Sequence, residues 1–168
     1  MLVLRQFCQE GVPVAELVLP FELRTKRRLL TQTADGEEVG VLLPSDSRSL
    51  REGDYLLADD GRCVAIRAAD EKLLQVRCAD AASLAKAAYH LGNRHVKVQV
   101  GQGWLRLAED DVLAEMLCQM GLVVERIIAP FEPEQGAYGG GHHHSHGQES
   151  AFHYAPKLHL FGRHHDAA

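Results

Sequence analysis

Histidine is the residue type in this chain whose placement points to chemistry. Eight of the ten histidines fall between positions 136 and 168. They open with the run His142-His143-His144-Ser145-His146 and continue with His153, His159, His164 and His165. The other two, His90 and His95, lie well upstream in Tyr89-His90-Leu91-Gly92-Asn93-Arg94-His95. Neutral imidazole is a borderline ligand that suits nickel, zinc, copper and cobalt and disfavours magnesium and calcium. A dense histidine tract therefore reads as metal-binding. A catalytic metal centre needs about three rigid ligands, an open position and an ordered second shell. The tail has ligands without preorganisation, which fits a carrier better than an active site. A cloning tag is the mundane alternative, but Ser145 interrupts the run and 22 residues follow His146.

A tight site also needs a ligand held by rigid elements, and His95 has the position for it. Asp80 is a helix N-cap, and Leu84, Ala87, Ala88 and Leu91 follow at helical spacing. Gly92 is the expected left-handed residue that closes this helix. The alternating run Val96-Lys97-Val98-Gln99-Val100 predicts a strand directly after His95. A side chain at such a junction is fixed on both sides yet faces solvent. That suits a metal ligand or a catalytic base; a plain surface histidine is the competing reading, and the downstream cluster weighs against it.

From Lys72 the spacing predicts strand, helix, strand, strand, helix, strand. Lys72 to Cys78 is the first strand, 81–91 the first helix, and 96–100 and 104–107 a hairpin around Gly101-Gln102-Gly103. Glu109, Asp110 and Asp111 open the second helix, where their charge complements its dipole. Val112, Leu113, Met116, Leu117 and Met120 give that helix an apolar face, Gly121 closes it, and 122–128 is the last strand. This βαββαβ order is the ferredoxin-like pattern, a superfold that says nothing of function by itself. An RNA-recognition module on that fold needs aromatic residues on its central strands, and here Trp104 stands alone.

Residues 1–70 predict a small all-β domain. Short runs at 2–7, 15–19, 28–33, 39–43, 55–58 and 63–68 are separated by Gly11, Pro13, Pro44 and the turns Asp35-Gly36 and Asp60-Gly61. Such strands suggest a small sandwich or barrel whose thin core leans on a neighbour. Arg24-Thr25-Lys26-Arg27-Arg28 is either a solvated loop or a docking surface for an acidic protein partner. The expected fold class is therefore α+β. A small all-β domain (1–70) precedes a ferredoxin-like βαββαβ domain (71–135). A His-rich tail (136–168) follows, with too few aliphatic residues to offset its own ordering entropy, so it is expected to be disordered.

Composition limits the partners. A formal charge of −5 argues against nucleic acid and against an anionic membrane surface. No apolar run approaches the roughly 20 residues of a membrane span, and the N-terminus lacks the layout of a signal peptide. Cys8, Cys63, Cys78 and Cys118 include no C-x-x-C pair and are expected to be small, mostly buried hydrophobes, with no thiolate cage. The protein is expected to be cytoplasmic.

The segment Tyr89 to His95, the segment Pro130-Phe131-Glu132-Pro133-Glu134-Gln135-Gly136-Ala137-Tyr138 and the His-rich tail after it resemble the urease accessory protein UreE family. These are nickel metallochaperones, and the resemblance runs along nearly the whole chain. It implies an N-terminal domain similar to a peptide-binding domain of co-chaperones and a C-terminal domain that forms a homodimer. It implies Ni(II) as cargo, delivered to the urease apoprotein through a complex with the urease accessory GTPase. His95 matches the family's metal-binding histidine at the dimer interface, and His142, His143, His144 and His146 match its auxiliary ligands. Some relatives carry further histidines where Glu109, Asp110 and Asp111 stand here, which puts a secondary site on that domain in doubt. Zinc and copper also suit these ligands, and the affinity order favours copper. No catalytic residue is implied. The rival readings are a small metalloenzyme using His95 as ligand or base, and a metal-storage or scaffold protein.

Overall fold

The structure, a computed structural model, describes residues 1–9 and 11–135. The tail and its candidate ligands His142, His143, His144 and His146 lie outside the described residues. Two domains of sheet with a few helices make the chain α+β.

The first sheet is built from β1 (Leu2–Cys8), β2 (Ala15–Leu19), β3 (Arg28–Gln32), β4 (Glu38–Leu42), β5 (Tyr55–Ala58) and β6 (Cys63–Ala68). They form one mixed sheet in the order β2-β6-β5-β1-β4-β3. The Asp-Gly turns behave as the sequence predicts, with Gly36 at φ 88° and Gly61 at φ 86°. The pairing goes beyond hairpins, because β1 runs parallel to β4 and β2 parallel to β6. Alternation puts Leu2 and Leu4 of β1, Leu17 and Leu19 of β2, Val39 and Val41 of β4, and Val64 and Ile66 of β6 on one face, all buried.

A one-turn helix, α1 (Phe21–Arg24), follows β2 and divides the basic cluster. Lys26 and Arg28 belong to the surface, whereas Arg24 is 1% exposed. Its guanidinium donates to the carbonyls of Leu19 and Phe131 and pairs with Glu132. The single docking surface over 24–28 that the sequence allowed therefore loses its first member. A planar fork with five donors can satisfy three acceptors at once, which explains why a cation is tolerated in this interior. The Phe21 ring meets that of Phe131 edge-on at 5.6 Å, and the Phe21 N–H donates to Glu71. The first domain thus leans on the segment that follows the second sheet.

Ala69 alone separates β6 from β7 (Asp70–Arg77). Then come α2 (Ala81–Gly92), β8 (Gln99–Gly101), β9 (Trp104–Ala108), α3 (Asp111–Gln119) and β10 (Val123–Pro130), in the strand and helix order that the spacing predicts. The sheet is antiparallel throughout in the order β10-β7-β9-β8. Leu74, Val76, Leu105 and Leu107 of its strands pack with Ala87, Leu91 and Leu117 of the two helices. Each fully buried leucine is worth about 2 kcal/mol over an exposed one, so this layer fixes where α2 ends. In the β8–β9 hairpin Gly101 faces Trp104, and a Cβ there would lie 2.0 Å from the indole. No helix among the described residues is long and apolar enough to cross a membrane.

Candidate metal site at the end of the second helix

The site starts from the two ends of α2. At its N-terminus the Asp80 carboxylate accepts from the Ser83 N–H at 2.7 Å, and that hydrogen bond holds the carboxyl below its ordinary range. At its C-terminus the outcome differs from the sequence reading. Gly92 stays helical, and the left-handed residue is His95, at φ 55°.

Hydrogen bonding accounts for the shift. The His95 N–H donates to the Gly92 carbonyl at 2.9 Å, and the Val96 N–H donates to the Leu91 carbonyl at 3.1 Å. This paired closure is the Schellman motif, and His95 fills the position usually given to glycine. The motif joins a hydrophobic residue just past the turn to one in the last helical turn. Leu91 is fully buried and Val96 packs against the same core, so burial selects His95 for the turn although Gly92 is close by. A histidine tolerates this backbone better than a branched residue, at a cost of about 1 kcal/mol. Such strain is kept where the surroundings over-determine it, and it marks positions to test for function.

His95 is exposed, on the rim of an open groove of about 310 Å³. Ala88, Val96, Val98 and Val100 form its apolar wall. The strand expected from Val96 begins only at Gln99, because the Val98 carbonyl is taken by the Glu134 N–H at 2.8 Å. The Glu132 N–H likewise donates to the Gln99 side chain at 3.1 Å. The last described residues therefore run beside the His95 loop, with Glu134 and Gln135 lining its groove. His90 lies inside α2 as expected; its ring meets that of Tyr89 edge-on, and its carbonyl accepts from Arg94.

Glu109, Asp110 and Asp111 have structural employment. Asp110 caps α3 by accepting from the Leu113 N–H at 2.8 Å, and Glu109 and Asp111 both pair with Arg126. Among the described residues no three His, Cys, Asp or Glu side chains gather into a metal cage. His95 is thus a single, rigidly placed imidazole beside an apolar wall and beside Glu134 and Gln135, the last described residues.

Residues 8–69 match the N-terminal domain, and residues 71–166 the C-terminal domain, of the UreE urease accessory protein. The chain belongs to the UreE family. A urease accessory protein UreE of Azotobacter vinelandii is 60% identical over 148 residues, covering 88% of this chain and 89% of that protein. One from Pseudomonas fluorescens is 53% identical over 158 residues, covering 94% of this chain and 95% of that protein. The C-terminal UreE match takes in both His95 and the histidine run from His142.

Proposed function

We propose that this UreE-family chain is a nickel-binding metallochaperone that donates Ni(II) during maturation of urease. The observation that carries the proposal is the placement of His95. It is an exposed imidazole on a strained but fully hydrogen-bonded turn, with the polypeptide leading to the histidine tail packed against its loop. Ni(II) in square-planar or octahedral geometry needs four to six donors, and one histidine cannot supply them. A homodimer with its two-fold axis beside His95 doubles the ligand with no further sequence. Exposed Tyr89 and Val100, with Val96 and Val98, give that interface apolar surface. The βαββαβ domain, whose ferredoxin-like reading accords with its strand order, would then be the dimerisation unit.

The tail completes the coordination. His142 is seven residues beyond Gln135, a reach of at most about 24 Å, so His142, His143, His144 or His146 can come to a metal held at His95. Exposed, exchangeable ligands suit a protein that must release its cargo. The urease apoprotein is the proposed recipient, reached through a complex with the urease accessory GTPase, the names of the relatives being those of urease accessory proteins. The chain has no catalytic role in this scheme, and the cytoplasm is its proposed location.

Calorimetric titration of nickel into the full-length protein, His95→Ala and a variant lacking residues 139–168 tests this reading. His95→Ala should lose the tight class of site and keep weak ones. The truncated protein should keep about one nickel per dimer at reduced affinity. A tight site intact in His95→Ala would overturn the assignment.

A further inference from the structure

We propose that Cys8 and Cys63 form a second metal site, a pair of thiolates for a soft monovalent cation of the copper(I) class. The two residues are far apart in sequence, yet their sulfur atoms lie 3.5 Å from each other. Cys8 ends β1 and Cys63 begins β6, on the face of the sheet opposite the leucine-rich core. Gly11 and Val14, ahead of β2, pack over Cys63. A Cβ at Gly11 would come within 2.9 Å of the Cys63 sulfur, and the Val14 N–H donates to the Cys63 carbonyl. Cys63 is thereby covered, while Cys8 lines an open cleft of about 430 Å³ with Phe7, Arg48, Asp54 and Tyr55. An ion entering from that cleft reaches Cys8, whose sulfur touches that of Cys63.

The geometry suits a bridging ion. The two free thiols touch across β5 without a bond between them. Two thiolates each about 2.3 Å from one cation are roughly 3.7 to 4.6 Å apart, between tetrahedral and linear arrangements, which needs only a small opening of the pair. Among the described residues no third His, Cys, Asp or Glu joins them. Two soft donors satisfy a monovalent d10 ion, whereas nickel and zinc require more. On binding, each S–H bond breaks as a copper–sulfur bond forms. Two protons leave to solvent and copper stays monovalent, so no oxidant or reductant is consumed. The site is independent of nickel binding at His95.

The test uses the full-length protein, reduced and kept anaerobic, with copper(I) supplied from a competing colorimetric chelator. Copper retained per chain is read together with alkylation of each cysteine by peptide mass spectrometry. One retained ion per chain that shields Cys8 and Cys63, but leaves Cys118 reactive, is the expected result. Cys8→Ser should lose that ion and the shielding of Cys63, while Cys78→Ser, Cys118→Ser and His95→Ala should keep both. Cys63→Ala, checked by circular dichroism, should match Cys8→Ser; the shielding in the unaltered protein needs no variant to fold. Copper bound without shielding of the pair, an ion that survives Cys8→Ser, or a Cys8–Cys63 disulfide formed in air without metal would each overturn the proposal.

Discussion

His95 and Gly121 occupy the same position in two copies of one helix-ending motif. Gly121 donates to the Cys118 carbonyl and Leu122 to that of Leu117; His95 donates to Gly92 and Val96 to Leu91. Their φ angles are 78° and 55°. At Gly121 the left-handed turn has no steric cost, and at His95 it does. The difference between the two helices is an imidazole held on a strained backbone.

Replacing His95 should therefore separate stability from metal binding. His95→Gly should leave the metal-free protein at least as stable as the parent, with a gain of up to about 1 kcal/mol. His95→Val should cost about 1–2 kcal/mol, because a branched side chain fits this turn worst. Both should lose the tight nickel site. Urea denaturation of the apo proteins checks the order, and a valine variant as stable as the parent would mean that the turn is not left-handed.

Much of this site is written in the local pattern, and its decisive detail is not. Asp80 was legible as a cap and Glu109, Asp110 and Asp111 as the charged start of the second helix, though the capping role of Asp110 was not. The βαββαβ order follows from alternation and helical spacing. Gly92 drew the end of α2 to the wrong residue because the turn is chosen by which side chains must be buried, here Leu91 and Val96. The parallel pairs β1–β4 and β2–β6, the burial of Arg24 and the contact of Cys8 with Cys63 all join residues distant in sequence. No local period encodes such meetings.

Arg24 offers a test of how the domains are joined. Arg24→Ala strands Glu132 and the carbonyls of Leu19 and Phe131, and should cost about 3 kcal/mol. Arg24→Lys should recover less than half of that, since one ammonium cannot reproduce the fork. Guanidinium denaturation followed by Trp104 fluorescence and by far-UV circular dichroism should give coincident transitions in the parent and separated ones in Arg24→Ala. Coincident, unshifted transitions would show that the pair does not couple the domains.

The cap at Asp80 predicts a specific acid sensitivity. Its carboxyl is depressed in the folded protein by the hydrogen bond from Ser83, so its contribution is fully present above the unfolded value and is lost as pH falls through the lower folded one. The window lies below about pH 4. Asp80→Asn retains a capping oxygen that does not titrate, so it should be close to the parent at pH 7 and lose less stability at pH 3. Thermal melts at the two pH values decide it, and parallel losses would remove Asp80 from the account.

Nickel and protons compete for the same imidazole lone pair. Free histidine takes up a proton near pH 6.5, so occupancy of the weak sites lost on deletion of residues 139–168 should fall steeply between about pH 7 and pH 5.5. Equilibrium dialysis against nickel across that range is the measurement. Retention that stays flat to about pH 5 would mean that carboxylates or thiolates hold the metal.

If the site is shared between two chains as proposed, dimerisation and tight nickel binding become one property. Val100 is 46% exposed and lines the groove beside His95. Across a two-fold axis each copy of this wall meets its own image, so Val100→Glu sets like charges face to face in apolar surroundings, where each is costly to desolvate. The side chain is exposed in the middle of a three-residue edge strand, so the fold itself should survive. Light scattering should show the variant as a monomer at concentrations where the parent is a dimer, and titration should show the tight nickel class lost with His95 still in place. A monomer that still binds nickel tightly would locate the whole site within one chain. A dimer that persists would put the interface on another face, and either result would end the shared-site proposal.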